Sequence, residues 1–127
     1  MNFKQISRLP EFDRDMKKLG KKFVTLEDDL TVFISTQLHL YHKLKIDNKG
    51  IHRIKDLKTD DPAVFKARKF ACRSLKGRGV HSGIRIIYAY HAASDRVEFI
   101  EIYYKGSKKS GNRARILTYL SGCTGTP

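Results

Sequence analysis

Two β-rich runs, residues 84–90 (IRIIYAY) and 97–104 (VEFIEIYY), stand on either side of a short polar turn at 91–96. Segments this rich in Ile, Val, Phe and Tyr, joined by so short a turn, read as an antiparallel hairpin. The hairpin constrains everything else. A sheet must be built around it, 97–104 is expected as a central strand, and the remaining apolar segments have to cover it.

Those segments are helical before the hairpin and again after it. Residues 3–9 read as a short strand. Pro10 suits a first helical turn, where its missing N–H costs nothing, and Phe12, Met16, Leu19 and Phe23 follow as an apolar stripe. Thr25 to Asp28 has the form of a capping box. Leu26, Leu30, Phe33, Ile34, Leu38 and Tyr41 then mark a second amphipathic helix ending near His42. Residues 47–50 are a turn signal, 51–57 a short extended piece, and 65–75 a strand. A glycine-bearing loop, KGRGVHSG (76–83), leads into the hairpin, and 110–120 form a last helix with Ile116, Leu117 and Leu120 inward. The expected order is β-α-α-β-β-β-α, a single α+β domain whose helices lie on one face of a mostly antiparallel, curved sheet. The domain is expected over residues 1–120, with 121–127 (SGCTGTP) as a disordered tail.

Charge is distributed unevenly along this plan. Of 26 Lys+Arg and 13 Asp+Glu, residues 64–115 hold 13 and 3, leaving 13 and 10 in residues 1–63. The net charge of +13 is therefore written mostly into the strand-bearing half. Such a field points to a polyanion: nucleic acid first, an acidic protein second, and an anionic membrane surface a distant third. No apolar run approaches the roughly 18–20 residues that span a bilayer, and the first residues lack the apolar stretch of a signal peptide. A cytoplasmic protein is expected, with Cys72 and Cys123 as free thiols.

Strand alternation says which cations share a face. Lys66 and Arg68 are in phase, against Phe65, Ala67 and Lys69. Arg85, Ile87 and Ala89 are in phase, against Ile86, Tyr88 and Tyr90. Val97, Phe99, Glu101, Tyr103 and Lys105 are in phase, against Glu98, Ile100, Ile102 and Tyr104. Lys66, Arg68 and Arg85 can then converge if their strands are neighbours, with Lys105 on the rim. Phe70 and Cys72 share the phase of Lys66 and Arg68, which a bulge or bend near Lys69 would relieve.

The segments FKARKF, LKGRG, SGIRIIYAY, VEFIEIYYKGSKK and RARI, taken together, resemble the RelE/ParE superfamily of toxins, most nearly its RelE- and HigB-like members. The resemblance runs from Phe3 to about Leu120. It implies a toxin of a type II toxin–antitoxin system: a ribosome-dependent, metal-independent mRNA endoribonuclease that inhibits translation and is held inactive by an acidic antitoxin. It implies no cofactor and no metal, with mRNA, the ribosome and its rRNA as partners. The alternative is a non-catalytic module of the same fold, a ParE-like gyrase inhibitor or a basic RNA-binding protein. Lys66, Arg68 and Arg85 match the family's basic positions, and Lys105 its basic residue at the end of the last strand. Lys108, Lys109, Arg113 and Arg115 are candidates for a further arginine. Tyr103 or Tyr104 supplies a phenol, with Tyr119 a remote candidate. Some relatives use a Glu/His pair, which Glu98, Glu101, His81 and His91 do not clearly match.

Metal-free RNA cleavage needs a base for the 2′-hydroxyl, cations around the phosphorane, and an acid for the leaving 5′-oxygen. The expected catalytic set is Lys66, Arg68, Arg85 and Tyr103. Guanidinium suits the charge-stabilising role because it is always charged and grips phosphate with two parallel bonds. Lys69, Arg73, Lys76, Arg78, Lys105, Lys108, Lys109 and Arg113 are expected to bind RNA.

Overall fold

The computed structural model describes residues 3–108 and 110–124 of the 127. Strands β1 (Gln5–Arg8), β2 (Ile51–Arg53), β3 (Ala63–Ala67), β4 (Ile84–His91) and β5 (Arg96–Tyr104) form a five-stranded sheet in the order β1-β5-β4-β3-β2. The hairpin lies at its centre. Only β1 runs parallel to its neighbour β5; the other pairs are antiparallel. The extended piece after Gly50 is a fifth strand that the expected order lacked.

Helices α1 (Pro10–Gly20) and α2 (Leu26–Phe33) cover one face of the sheet. Pro10 begins α1, and Phe12, stacked 5.2 Å from Phe99, and Met16 bury its stripe. α2 passes directly into a π-helical stretch, Ile34–Lys43. The Ser35 and Thr36 hydroxyls donate to the Val32 carbonyl at this junction, competing with ordinary helical bonds. The wider i→i+5 turn suits an inward spacing of five and then four residues, which buries Phe33, Leu38 and His42 together. Ile34 and Tyr41 stay half-buried.

The second face is covered as well, contrary to the expectation of helices on one side. Helix α3 (Arg113–Thr124) lays Ile116 and Leu120 on Val64, Ile87, Ala89, Ile100 and Tyr103. Leu117, expected inward, is half exposed. α3 also takes in residues 121–124 of the expected tail; 125–127 lie outside the described residues. Burial on both faces explains why residues 86–90 (IIYAY) are a continuous apolar run rather than an alternating one.

Two local expectations change for a shared reason. Thr25 does not close a capping box. Its hydroxyl donates to Asp29 (2.6 Å) and receives the backbone N–H of Ser74 (3.0 Å). Asp29, only 3% exposed, also accepts from Arg73 N (3.1 Å) and Arg73 Nε (3.0 Å). The start of α2 thus anchors the loop after β3. That strand ends at Ala67, not near Leu75, and Phe70 N bonds the Val80 carbonyl at 3.0 Å. The bend turns Phe70 and Cys72 into the core beneath α2, away from the phase of Lys66 and Arg68. Asp29→Ala is expected to cost about 2 kcal/mol, because it removes a buried acceptor from three donors. Urea denaturation of the variant beside the parent checks this.

Candidate functional site

The cations gather where β3 ends, β4 begins and β5 ends. Lys66 lies opposite Ile87, and Arg85 opposite Tyr103. Both Lys66 and Arg85 are half-buried on the face that α3 only partly covers. Arg85 Nη1 donates to the Arg68 carbonyl at 3.0 Å, so the guanidinium is braced against the end of β3. Arg68 itself is exposed. Lys66 Nζ sits 5.9 Å from the centre of the Tyr103 ring, and Lys108 Nζ sits 5.8 Å from the same ring. Such separations lie within cation–π range. Tyr103 is 4% exposed and forms the floor of the cluster.

A bulge in β5 sets this floor. Ile87 faces Glu101 and Tyr88 faces Phe99, which leaves Ile100 as an extra residue. Ile100 and Tyr103 therefore pack under α3, while Phe99, Ile102 and Tyr104 pack on the α1–α2 side. Strict alternation had put Ile100, Ile102 and Tyr104 on one face. It also left Tyr103 and Tyr104 as rival phenols, and the structure turns Tyr103 towards the cations. Tyr104 goes to the other side, edge-on to Phe23 at 5.1 Å. A Cβ at Gly106 would lie 2.5 Å from that ring, so any other residue there would have to displace Tyr104.

The other basic candidates divide into three groups. Lys105 is exposed at the end of β5, its N–H bonded to the Gly83 carbonyl at 2.9 Å. Lys76 and Arg78, with His81, are exposed on the loop leading into β4, where Gly77, Gly79 and Gly83 take positive φ. These can border the cluster. Lys69, Arg73, Arg113 and Arg115 are tied to partners within the chain. Lys69 Nζ bonds the Asn48 carbonyl (2.7 Å) and Arg73 holds Asp29. Arg113 Nη2 reaches the Asp56 carbonyl (3.2 Å), and Arg115 pairs with Asp15 at 2.7 Å. These bonds fix where the side chains stand, and Arg73 and Arg113 remain exposed. Lys109 lies outside the described residues.

Tyr119 belongs to a separate polar cluster at the other end of the hairpin. Its hydroxyl donates to Glu98 (2.8 Å) and lies 2.6 Å from His91 Nε2, while Arg96 also holds Glu98 at 2.7 Å. Burial, with Arg96 beside it, keeps His91 below the ordinary histidine range. Burial and then the Glu98 bond raise the Tyr119 phenol. The cluster pins α3 to the sheet. Hollows of about 460 and 470 Å³ lie elsewhere, one beside Tyr119 and one beside His42, and neither is lined by Lys66, Arg68 or Arg85.

The architecture is thus that of a single α+β domain with a five-stranded, mostly antiparallel sheet. No family model matches the chain, and no curated protein matches it. Among solved structures it is similar to one described as an archaeal RelE–RelB complex from Pyrococcus horikoshii OT3, with a TM-score of 0.50 and 13% identity over 84% of this chain and 98% of that one. At that identity the likeness establishes a RelE-like fold and nothing finer.

Proposed function

We propose that this protein is the toxin of a toxin–antitoxin pair and acts as a ribosome-dependent mRNA endoribonuclease. The observation that carries this reading is the convergence of Lys66, Arg85 and Tyr103 on one open face, beside Arg68. In the proposed reaction the 2′-oxygen attacks the adjacent phosphorus and the 5′-oxygen leaves, giving a 2′,3′-cyclic phosphate and a 5′-hydroxyl. Arg85 and Arg68 meet the charge that grows on the phosphorane, and Lys66 adds a third positive charge. Tyr103, 4% exposed beneath these cations, sets Lys66 and Lys108 against its ring and acts through them. Lys105, Lys76 and Arg78 bind the flanking phosphates, whose contacts need only exposed cations. An acidic protein partner fits the net charge of +13, and the solved neighbour is itself described as a complex with RelB. Among the described residues no helix is long and apolar enough to cross a membrane.

Primer extension on a translated message, after induction of the gene, tests this reading. New 5′ ends within codons are expected on the translated message and none on the same message with its start codon removed. Growth arrest with intact message and an induced DNA-damage response would replace the proposal with gyrase inhibition.

A further inference from the structure

We propose that Glu101 is the positioning residue of the cationic face, holding Lys108 and the segment after β5 over Tyr103; the catalytic part of this inference rests on the cleavage reading above. A carboxylate buried beneath a surface built from cations needs a physical reason. Glu101 is 1% exposed, and it reaches this face only because the extra residue Ile100 shifts the alternation of β5. Its two oxygens are both used. Oε2 takes Lys108 Nζ at 2.6 Å, and Oε1 accepts the Asn112 backbone N–H at 2.7 Å. The returning chain passes directly over the carboxylate. A Cβ at Gly111 would run into Ile87 Cδ1 and come within 3.2 Å of Glu101 Oε1, so any other residue there would have to displace the Ile87 side chain.

The consequence is electrostatic as well as steric. Lys66 and Lys108 both converge on the Tyr103 ring, at 5.9 and 5.8 Å, and two ammonium groups brought so near one ring repel. The Glu101 carboxylate offsets that repulsion on the Lys108 side and fixes where the ammonium stands. Lys108 remains 45% exposed, so it is held without being sealed from a phosphate. Glu101 itself, beneath the segment, has no open path to RNA. Its effect on chemistry passes through Lys108.

Two arms test this with Glu101→Gln, Lys108→Met and the double variant. Glutamine keeps an acceptor for Asn112 and removes the charge that holds Lys108. The first arm needs no activity. Lys108 Nζ stands 5.8 Å from the centre of the Tyr103 ring, so a ring-current shift of the adjacent ε-methylene protons is expected in the parent protein. They are expected to return to unstructured values in Glu101→Gln while the melting curve stays cooperative. Unchanged Lys108 signals in that variant overturn the proposal. The second arm measures ribosome-dependent cleavage. Each single variant is expected to lower kcat by roughly 10- to 100-fold with little change in KM, and the double variant to be no worse than Lys108→Met alone. Losses that multiply in the double variant overturn action through Lys108. A parent protein that cleaves nothing refutes the function proposed above, and the NMR arm still decides the role of Glu101.

Discussion

Arg85→Ala is expected to lose cleavage by a factor on the order of 10²–10³ while remaining folded, the usual effect of removing one preorganised charge stabiliser. The two halves of this expectation have separate origins. For the fold, Arg85 supplies one hydrogen bond to the Arg68 carbonyl at 3.0 Å and a half-exposed side chain at the start of β4. Losing a bond of this kind costs about 1 kcal/mol. The apolar neighbours that hold the strand, Ile84 and Ile86, are on the opposite face and untouched. For the reaction, Arg85 is, among the described residues, the one guanidinium that is both rooted in a central strand and braced against a backbone oxygen. Arg68 lies beyond the end of β3, where the chain is already turning. Arg85→Lys separates charge from shape: it keeps the cation and loses the planar fork, so an intermediate rate is expected. Rates on ribosomes stalled with a defined A-site codon, beside thermal melts of the same preparations, make the measurement. An Arg85→Ala protein that melts like the parent and cleaves within about threefold of it would remove the guanidinium from the mechanism, since a stabiliser acting on the phosphorane is worth far more than that.

The parts of this site legible in the sequence are those governed by period-two alternation in unbroken strands. Lys66 against Phe65 and Ala67, and Arg85 with Ile87 against Ile86 and Tyr88, stand in the structure as alternation placed them. What alternation could not show is the extra residue in β5. Ile100 and Glu101 share one side, and this single insertion decides which tyrosine meets the cations and what Glu101 is for. A charged residue inside FIEIYY, flanked by isoleucines, is the only mark it leaves in the sequence. The destination of α3 was hidden for a different reason. An apolar stripe says that a helix must be covered, not which sheet face it chooses, and IIYAY (86–90) was the clue that both faces were taken. The fate of Arg73, Arg113 and Arg115 was hidden because their carboxylate or carbonyl partners lie 44, 57 and 100 positions away in the chain. Charge counting treats every arginine as unpaired, whereas folding pairs Arg73 and Arg115 with carboxylates and fixes Arg113 on a carbonyl.

Acid should weaken this fold well before its carboxylates titrate, and the cause is His42. The π-helical stretch buries this ring until it is 6% exposed, with Nε2 2.8 Å from the Tyr88 hydroxyl and Tyr41, Phe65 and Tyr90 around it. Burial, with Lys45 and Lys43 adding like charge, pushes its pKa down to about 4 from an ordinary 6.5. The folded state therefore favours the neutral ring. Above pH 6.5 the ring is neutral in both states and the full stability is present. As pH falls below 6.5 the unfolded chain takes up the proton first, and stability declines by about 1.4 kcal/mol per pH unit until the folded ring also titrates. The loss at pH 5 is expected to be about 2 kcal/mol, and near pH 4 about 3 kcal/mol. His91, also held below its ordinary range, adds to the same window. Glu27, whose pKa is lowered by its bond from Arg8, loses its contribution only at lower pH, as it is protonated. Urea denaturation at pH 7 and pH 5 measures the slope, and His42→Gln, which can still bond Tyr88, should flatten most of it. A His42 ring that titrates near 6.5 by NMR, or a stability unchanged between those two pH values, would mean that the ring is not sealed between the π-helical turn and the sheet.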